Sequence, residues 1–352
     1  MLLMGAPSGM LLIRADAGSE IGTGHVMRSF ALAQAWQRTG GRVTCAMAET
    51  IPAIADRLQA HGIATAQIAG EPGSDDDACH TCELALSKKA VWTVVDSYRC
   101  GPAFHRAVKN AGLRLMVLDD DGRFSEYSAD VVLNQNLAAT ERLYAKRGPD
   151  TLLLLGTQFA LLRPEFLAER RERQIASRAQ RILVTMGGGD ADNATGKVME
   201  ALSALHGEIQ ATVVVGSGNP NAQELAHAAA RLGPGVRLEK DPGNMAPLMV
   251  ACDFAVSGAG STCWELAYLG VPMMLVVLSR DQQEIARSLA KRGVAVSLGW
   301  HANLSTPELI SSIQALASDP ARRRAMTGAG QKLVDGRGAE RVVEFLRNHL
   351  CR

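Results

Sequence analysis

Residues 11–48 read LLIRADAGSEIGTGHVMRSFALAQAWQRTGGRVTCAMA. LLIRADA is a short apolar run of strand character, GSEIGTG is a glycine-rich turn, HVMRSFALAQAWQRTG has helical patterning, and RVTCAMA returns to strand. Strand, turn, helix and strand in succession predict a βαβ unit, the opening of an α/β fold with a parallel sheet.

Working outward, AVWTVVDS (90–97), RLMVLDD (114–120) and DVVLNQN (130–136) are β-branched or apolar runs bounded by turn residues. Such runs suit buried parallel strands, and their polar C-terminal ends put Asp96, Asp119 and Asn134 where α/β proteins usually bind ligands. The same logic starts again at RILVTMGGGDADNATGKVMEAL (181–202), a strand, a glycine-rich turn and a helix, followed by the strand-like ATVVVGSGNPN, VRLEKDP, FAVSGAG and MMLVVLS. A charged stretch from Pro164 to about Ala179, expected to be helical, separates the halves. The expected organisation is an N-terminal Rossmann-like domain over residues 10–165 and a C-terminal one over 180–338, facing a central cleft. Residues 339–352, beginning with the amphipathic AERVVEFLRNHL, are expected to pack back across the joint.

At 352 residues the chain is long enough for two domains, and 47% hydrophobic with 21% charged residues can bury sizeable cores. The 34 Gly and 13 Pro punctuate the chain without making it low-complexity, which excludes fibrous and disordered classes. Lys and Arg number 37 against 36 Asp and Glu, a net charge of +1, so no bulk field recruits nucleic acid or an anionic membrane. An aromatic content of 4% disfavours base-stacking surfaces. No long uninterrupted apolar window suggests a membrane span. Residues Met1 to Gly9 read as a loose tail without the basic region of a signal peptide. The 7 cysteines are scattered and odd in number, including Cys79, Cys82 and Cys351, so a reducing cytoplasm is expected rather than a disulfide framework. Cys79 and Cys82 have CxxC spacing, but no second pair completes a zinc set; neither metal nor cofactor is expected, and a monomer is.

Three constellations carry candidate chemistry. In Gly22-Thr23-Gly24-His25 the glycines let backbone approach a ligand, and His25 stands where the helix departs. An imidazole there can take a proton from water, with Asp16 in the same loop system to orient it; the alternative is a histidine that merely caps a helix. The motif lacks the third glycine of the dinucleotide fingerprint. Gly187-Gly188-Gly189-Asp190 offers amides and a helix N-terminus to phosphate, or else is a tight turn capped by Asp190 or Asn193. In Ser257-Gly258-Ala259-Gly260-Ser261-Thr262-Cys263-Trp264-Glu265, Ser261 and Thr262 can bond phosphate oxygens and Glu265 can hold the vicinal hydroxyls of a ribose; Thr262 and Glu265 also fit a capping box. The polar cluster Ser279 to Glu284, with Asp281 and Gln282, ends another strand and is either a further binding loop or a solvated helix start.

RADAGSEIGTGHVMR, VVDSYR, VLDDDGRFSEYSADVVLNQN, LLGTQFALLRPEF, VTMGGGD and SGAGSTCWELAYLGVPMMLV, in this order, resemble the UDP-sugar hydrolase family of pseudaminic acid biosynthesis. The resemblance runs from about Leu11 to beyond Gly293; the SGAGS…E block alone also suits the related transferase of lipid II synthesis. It implies a glycosyltransferase-B fold and metal-independent release of UDP from UDP-2,4-diacetamido-2,4,6-trideoxy-β-L-altropyranose, with inversion at the anomeric carbon. By the same resemblance His25 and Tyr98 are catalytic, and Arg28, in the first of these segments, is taken with the glycine loop as substrate-binding. Gly187, Gly188 and Gly258 to Ser261 take the phosphates, and Glu265 takes the uridine. Where the family commonly has Asn-Gln this chain has Asp281-Gln282, and an ionised Asp281 cannot donate as an amide does, which bears on the sugar's substitution pattern.

Overall fold

The computed structural model describes residues 9–18, 21–205 and 207–350. The expected N-terminal tail up to Ser8, and Cys351, lie outside the described residues. The described chain divides into two compact units: one holds the chain up to Gly18, His25–Arg163 and the segment from Gly336 onward, the other Pro164–Asp335 together with the short stretch ending at Gly24.

In the first unit the elements run β1 (Met10–Ala15), α1 (Gly24–Gln37), β2 (Arg42–Met47), α2 (Pro52–Ala60), β3 (Ala64–Gln67), α3 (Asp75–Ser87), β4 (Ala90–Asp96), α4 (Pro102–Asn110), β5 (Leu115–Leu118), β6 (Val131–Asn134) and β7 (Leu152–Leu155). All pairings are parallel and the strand order is β3-β2-β1-β4-β5-β6-β7. The order reverses between β1 and β4, the hallmark of double winding. Leu11 and Ile13 pack on one face with Trp36 of α1, and Leu12 on the other with Phe104 of α4, as strand alternation requires.

The second unit runs α5 (Pro164–Ala168), β8 (Arg181–Thr185), α6 (Ala194–Ser203), β9 (Gln210–Val215), α7 (Ala222–Leu232), β10 (Val236–Lys240), α8 (Ala246–Ala251), β11 (Phe254–Gly258), α9 (Thr262–Leu269), β12 (Met273–Val277), α10 (Gln282–Lys291), β13 (Ala295–Trp300), α11 (Thr306–Ser318) and α12 (Pro320–Leu333). Its sheet, also parallel, has the order β10-β9-β8-β11-β12-β13 and reverses between β8 and β11. The last helix, α13 (Gly338–Asn348), belongs to the first unit. Its Ala339, Val342, Val343 and Leu346 form one apolar stripe in the core with β1 and α1, and the Trp92 indole donates to the Leu346 carbonyl at 3.1 Å.

One expectation fails. The charged stretch from Pro164 to Ala179 is helical only over Pro164–Ala168 and runs on without regular structure. Its arginines serve other backbones. Arg173 donates to the carbonyls of Met249, Val250 and Cys252 at the end of α8, and Arg170 to Gln331. Carbonyls at a helix C-terminus lack partners of their own, so a guanidinium there replaces what a longer helix in the 164–179 stretch would gain. Among the described residues no helix is long and apolar enough to cross a membrane.

Candidate active site

In the first unit the chain winds one way from β1 through β2 and β3 and the other way from β4 through β5 to β7, so the loops after β1 and β4 diverge and leave a crevice. His25 stands in the first turn of α1, just past the first of these loops, and Tyr98 on the second. Gly22 takes a positive φ of 69° in the turn that delivers His25 to the first turn of α1, a conformation glycine adopts without strain. The rings of His25 and Tyr98 meet edge to face with centroids 4.3 Å apart. His25 Nδ1 lies 3.6 Å from Asp96 Oδ1, within ion-pair reach but longer than a hydrogen bond.

Beneath this pair lies a buried ionic cluster. Arg28, one turn along α1 from His25, grips the Asp96 carboxylate through Nε at 2.8 Å and Nη2 at 2.6 Å. Its Nη1 donates to both oxygens of Asp120 at 2.7 and 2.8 Å. Ser29 Oγ adds a bond to Asp96 at 2.9 Å, and Tyr98 Oη and Asn136 Nδ2 donate to Asp120 at 2.7 and 2.9 Å. Burial alone would raise the Asp120 pKa, but the charge and hydrogen bonds of Arg28 outweigh it and hold the carboxyl well below the usual range. Burial likewise opposes the charge of Arg28, yet Asp120 and Asp96 keep it more firmly protonated than a free arginine. The guanidinium is fully engaged by two carboxylates. Arg28, expected to bind substrate, is here held by Asp96 and Asp120 and organises the floor of the crevice.

Asp16, expected to orient His25, has other partners in this structure. Its Oδ1 accepts from Arg14 Nη1 at 2.6 Å and from the amides of Ala48 and Glu49 at 2.8 and 3.1 Å, so it ties the loop after β1 to the loop after β2. Arg14 is completely buried and also paired with Asp77 through Nε and Nη2 at 2.8 and 2.7 Å. A buried guanidinium demands counter-charge, and Asp16, two residues along on the same strand face, supplies part of it. The carboxylate beside His25 is Asp96. Two other strand-end groups are structural: Asp119 accepts from the hydroxyls of Tyr127 and Tyr144 at 2.8 and 2.9 Å, and Asn134 donates to Tyr144 at 2.7 Å. Asp120, Ser29 and Asn136 escape the reading of the sequence; the signal for Asp120 is its place two residues past the end of β5.

In the second unit the reversal lies between β8 and β11, and the two glycine-rich turns follow these strands. Gly187 has a φ of 91°. The helix behind this turn, α6, is closed by its own side chains: Asp190 accepts from the amides of Ala194 and Thr195 at 2.7 and 2.9 Å, and Asn193 from that of Gly196 at 3.1 Å. The capped-turn alternative is realised at α6, whose first amides are not available to an anion. At α9 Ser261 occupies the N-cap without a side-chain bond, so the Thr262–Glu265 capping box is not formed. The amides of Ser261 and Thr262 have no partner among the described residues. Gly258 ends β11 where a Cβ would crowd the Met186 carbonyl and Leu278. Gln282 Oε1 accepts from the amides of Ala259 and Leu278, both at 3.1 Å, and so clamps the Gly258–Ser261 loop to the end of β12; Asp281 is the N-cap of α10. Among the described residues no group of three or more His, Cys, Asp or Glu is arranged to hold a metal ion.

Residues 181–342 match the glycosyltransferase family 28 C-terminal domain. The chain is 26% identical over 232 residues to the spore coat polysaccharide biosynthesis protein SpsG of Bacillus subtilis, covering 65% of this chain and 68% of that one. It is 25% identical over 293 residues to the UDP-2,4-diacetamido-2,4,6-trideoxy-β-L-altropyranose hydrolase of Campylobacter jejuni, covering 81% of this chain and 98% of the relative. The crystal structure of Acinetobacter baumannii MurG superposes with a TM-score of 0.66 at 16% identity, over 97% of this chain and 100% of that one. Two doubly wound parallel sheets, the match of the second to a glycosyltransferase domain and the full-length structural likeness make this a two-domain α/β protein of the glycosyltransferase-B fold.

Proposed function

We propose that the protein is a hydrolase that releases UDP from a UDP-linked 2,4-diacetamido-2,4,6-trideoxy sugar. The observation that carries this reading is His25, at the switch point of the first sheet and edge-on to Tyr98, in a chain that aligns with nearly the whole C. jejuni hydrolase. In the reaction a water oxygen attacks the anomeric carbon while His25 takes a proton from that water. The bond from C1 to the β-phosphate oxygen breaks, UDP departs as an anion, and the configuration at C1 inverts. The departing charge calls for hydrogen-bond donors more than for covalent help, and the free amides at the start of α9 are suited to it. In this reading Gly187, Gly188, Gly258, Gly260, Ser261 and Thr262 line the diphosphate, Glu265 takes the ribose hydroxyls, Gln282 holds the glycine loop in shape, and Asp281 bears on the sugar.

The family 28 match favours a second reading, transfer of the sugar to an acceptor. Incubation with UDP-diacetamido sugars in ¹⁸O-water separates the two. The hydrolase releases UDP without any acceptor, the UDP carries no label, and the new sugar hydroxyl does. UDP release that waits for an acceptor establishes transfer, and label in UMP or phosphate means attack at phosphorus. His25→Ala is expected to lower UDP release by about 10²–10⁴-fold while UDP itself still binds; wild-type turnover in that variant removes His25 from catalysis.

A further inference from the structure

We propose that Asp96 and Arg28 are the positioning residues of His25: the Asp96 carboxylate, locked by Arg28, holds the Nδ1 side of the imidazole and balances the charge that His25 acquires as a base. The inference rests on the hydrolytic reading for its consequence but on geometry for its content.

Asp96 is wholly buried, and three donors fix it: Arg28 Nε, Arg28 Nη2 and Ser29 Oγ. Its Oδ1 looks both ways, towards Arg28 Nη2 at 2.6 Å and towards His25 Nδ1 at 3.6 Å. A carboxylate so restrained cannot swing to another partner, and it favours the tautomer with the proton on Nδ1, leaving Nε2 as the basic nitrogen. The charge count points the same way. Arg28 from α1 supplies one positive charge against two carboxylates, Asp96 at the end of β4 and Asp120 after β5, so the buried cluster is one positive charge short. Protonation of His25 supplies it. Among the described residues the other groups facing the imidazole do not change this count: Tyr98 keeps the hydroxyl proton it donates to Asp120, and Arg123, over the Tyr98 ring, is paired with Asp121. The low pKa of Asp120, to which the charge of His25 contributes, fits a cluster that welcomes one more cation.

The test is an NMR titration of the His25 imidazole, assigned by its loss in His25→Gln, run in parallel with the pH profile of UDP release. Asp96→Asn removes the facing charge without changing shape. Its His25 midpoint is expected below the wild-type one, with the acid limb of kcat/KM moving the same way and kcat falling more than KM rises. Arg28→Lys keeps the cluster's charge but loses the fork, so the midpoint stays near the wild-type value while kcat falls. Should Asp96→Asn not fold, Asp120→Asn removes the same charge from the far end of Arg28 and must lower the midpoint too. A His25 midpoint that stays in place or rises in the folded Asp variant overturns the proposal. The titration needs no substrate, so a failure to release UDP from any sugar nucleotide counts against the hydrolytic reading and leaves the pairing to be judged by the midpoint alone.

Discussion

The helices α6 and α9 begin alike in sequence and differently in space. Both follow a central strand of the second sheet, and both are preceded by a run of small residues, GGGD before α6 and SGAGS before α9. At α6 the first amides are bonded by Asp190 and Asn193, two side chains from the turn itself. At α9 the N-cap Ser261 makes no side-chain cap bond among the described residues, and the turn is held from outside by the carboxamide of Gln282. Glycines before a helix allow close approach, but an anion site also needs amides without partners and no carboxylate in the way. By that criterion the start of α9 is the one that suits the diphosphate of the proposed reading, and α6 is a capped helix beside it in the strand order.

Ser261→Asp gives α9 the carboxylate that α6 already has. Juxtaposing it with a diphosphate costs several kcal/mol, so UDP affinity measured by calorimetry is expected to fall about 100-fold, roughly 2.7 kcal/mol. The melting temperature is expected to hold or rise, because a negative charge at a helix N-terminus is favourable by about 0.3–1 kcal/mol. Unchanged affinity would mean that the diphosphate is bound elsewhere. A smaller effect is expected from Glu265→Ala, one turn into α9. Loss of a carboxylate that takes two ribose hydroxyls should weaken UDP about tenfold, some 1.4 kcal/mol, and equal binding of UDP by variant and wild type removes Glu265 from that role.

What the sequence makes legible follows the same physics. The central strands β1, β4, β5, β8, β11 and β12 are buried on both faces and read as continuous apolar runs. The edge strands β3, ATAQ, and β13, AVSLGW, are half-exposed, carry no such run and escape a reading by pattern. His25 is legible because a strand followed by a glycine turn marks its C-terminal end, where ligands bind in such folds, whereas Tyr98 comes only from the family resemblance. The partners of Arg28 are not legible, since Asp96 and Asp120 lie 68 and 92 residues away and only the sheet order brings them together. Asp16 misleads for the converse reason: proximity in sequence to His25 suggests a contact, whereas the buried Arg14 on the same strand face claims the carboxylate first.

The smallest effect is expected at the start of α6. Asp190→Asn keeps the size of the side chain and a residue type that tolerates the positive φ of 79° at this position, but leaves one acceptor for two amides. Burial raises the Asp190 pKa, only partly offset by its bonds to Thr195 and Ala194. A carboxyl whose folded pKa is raised favours the fold at acid pH and loses that contribution as pH rises through the folded value, so at neutral pH the ionised Asp190 is carried at a cost. The amide removes that cost while losing one hydrogen bond of about 1 kcal/mol. The two terms oppose, and the melting temperature at pH 7 is expected to move by only a few degrees, with less variation across the acid range than in the wild type. UDP affinity is expected to stay within about twofold, less than about 0.4 kcal/mol, because the first amides of α6 are already bonded by Asp190 and Asn193 and only the preceding glycines are left to a phosphate. A tenfold gain in affinity on removing this charge would mean that the Asp190 carboxylate itself faces the diphosphate.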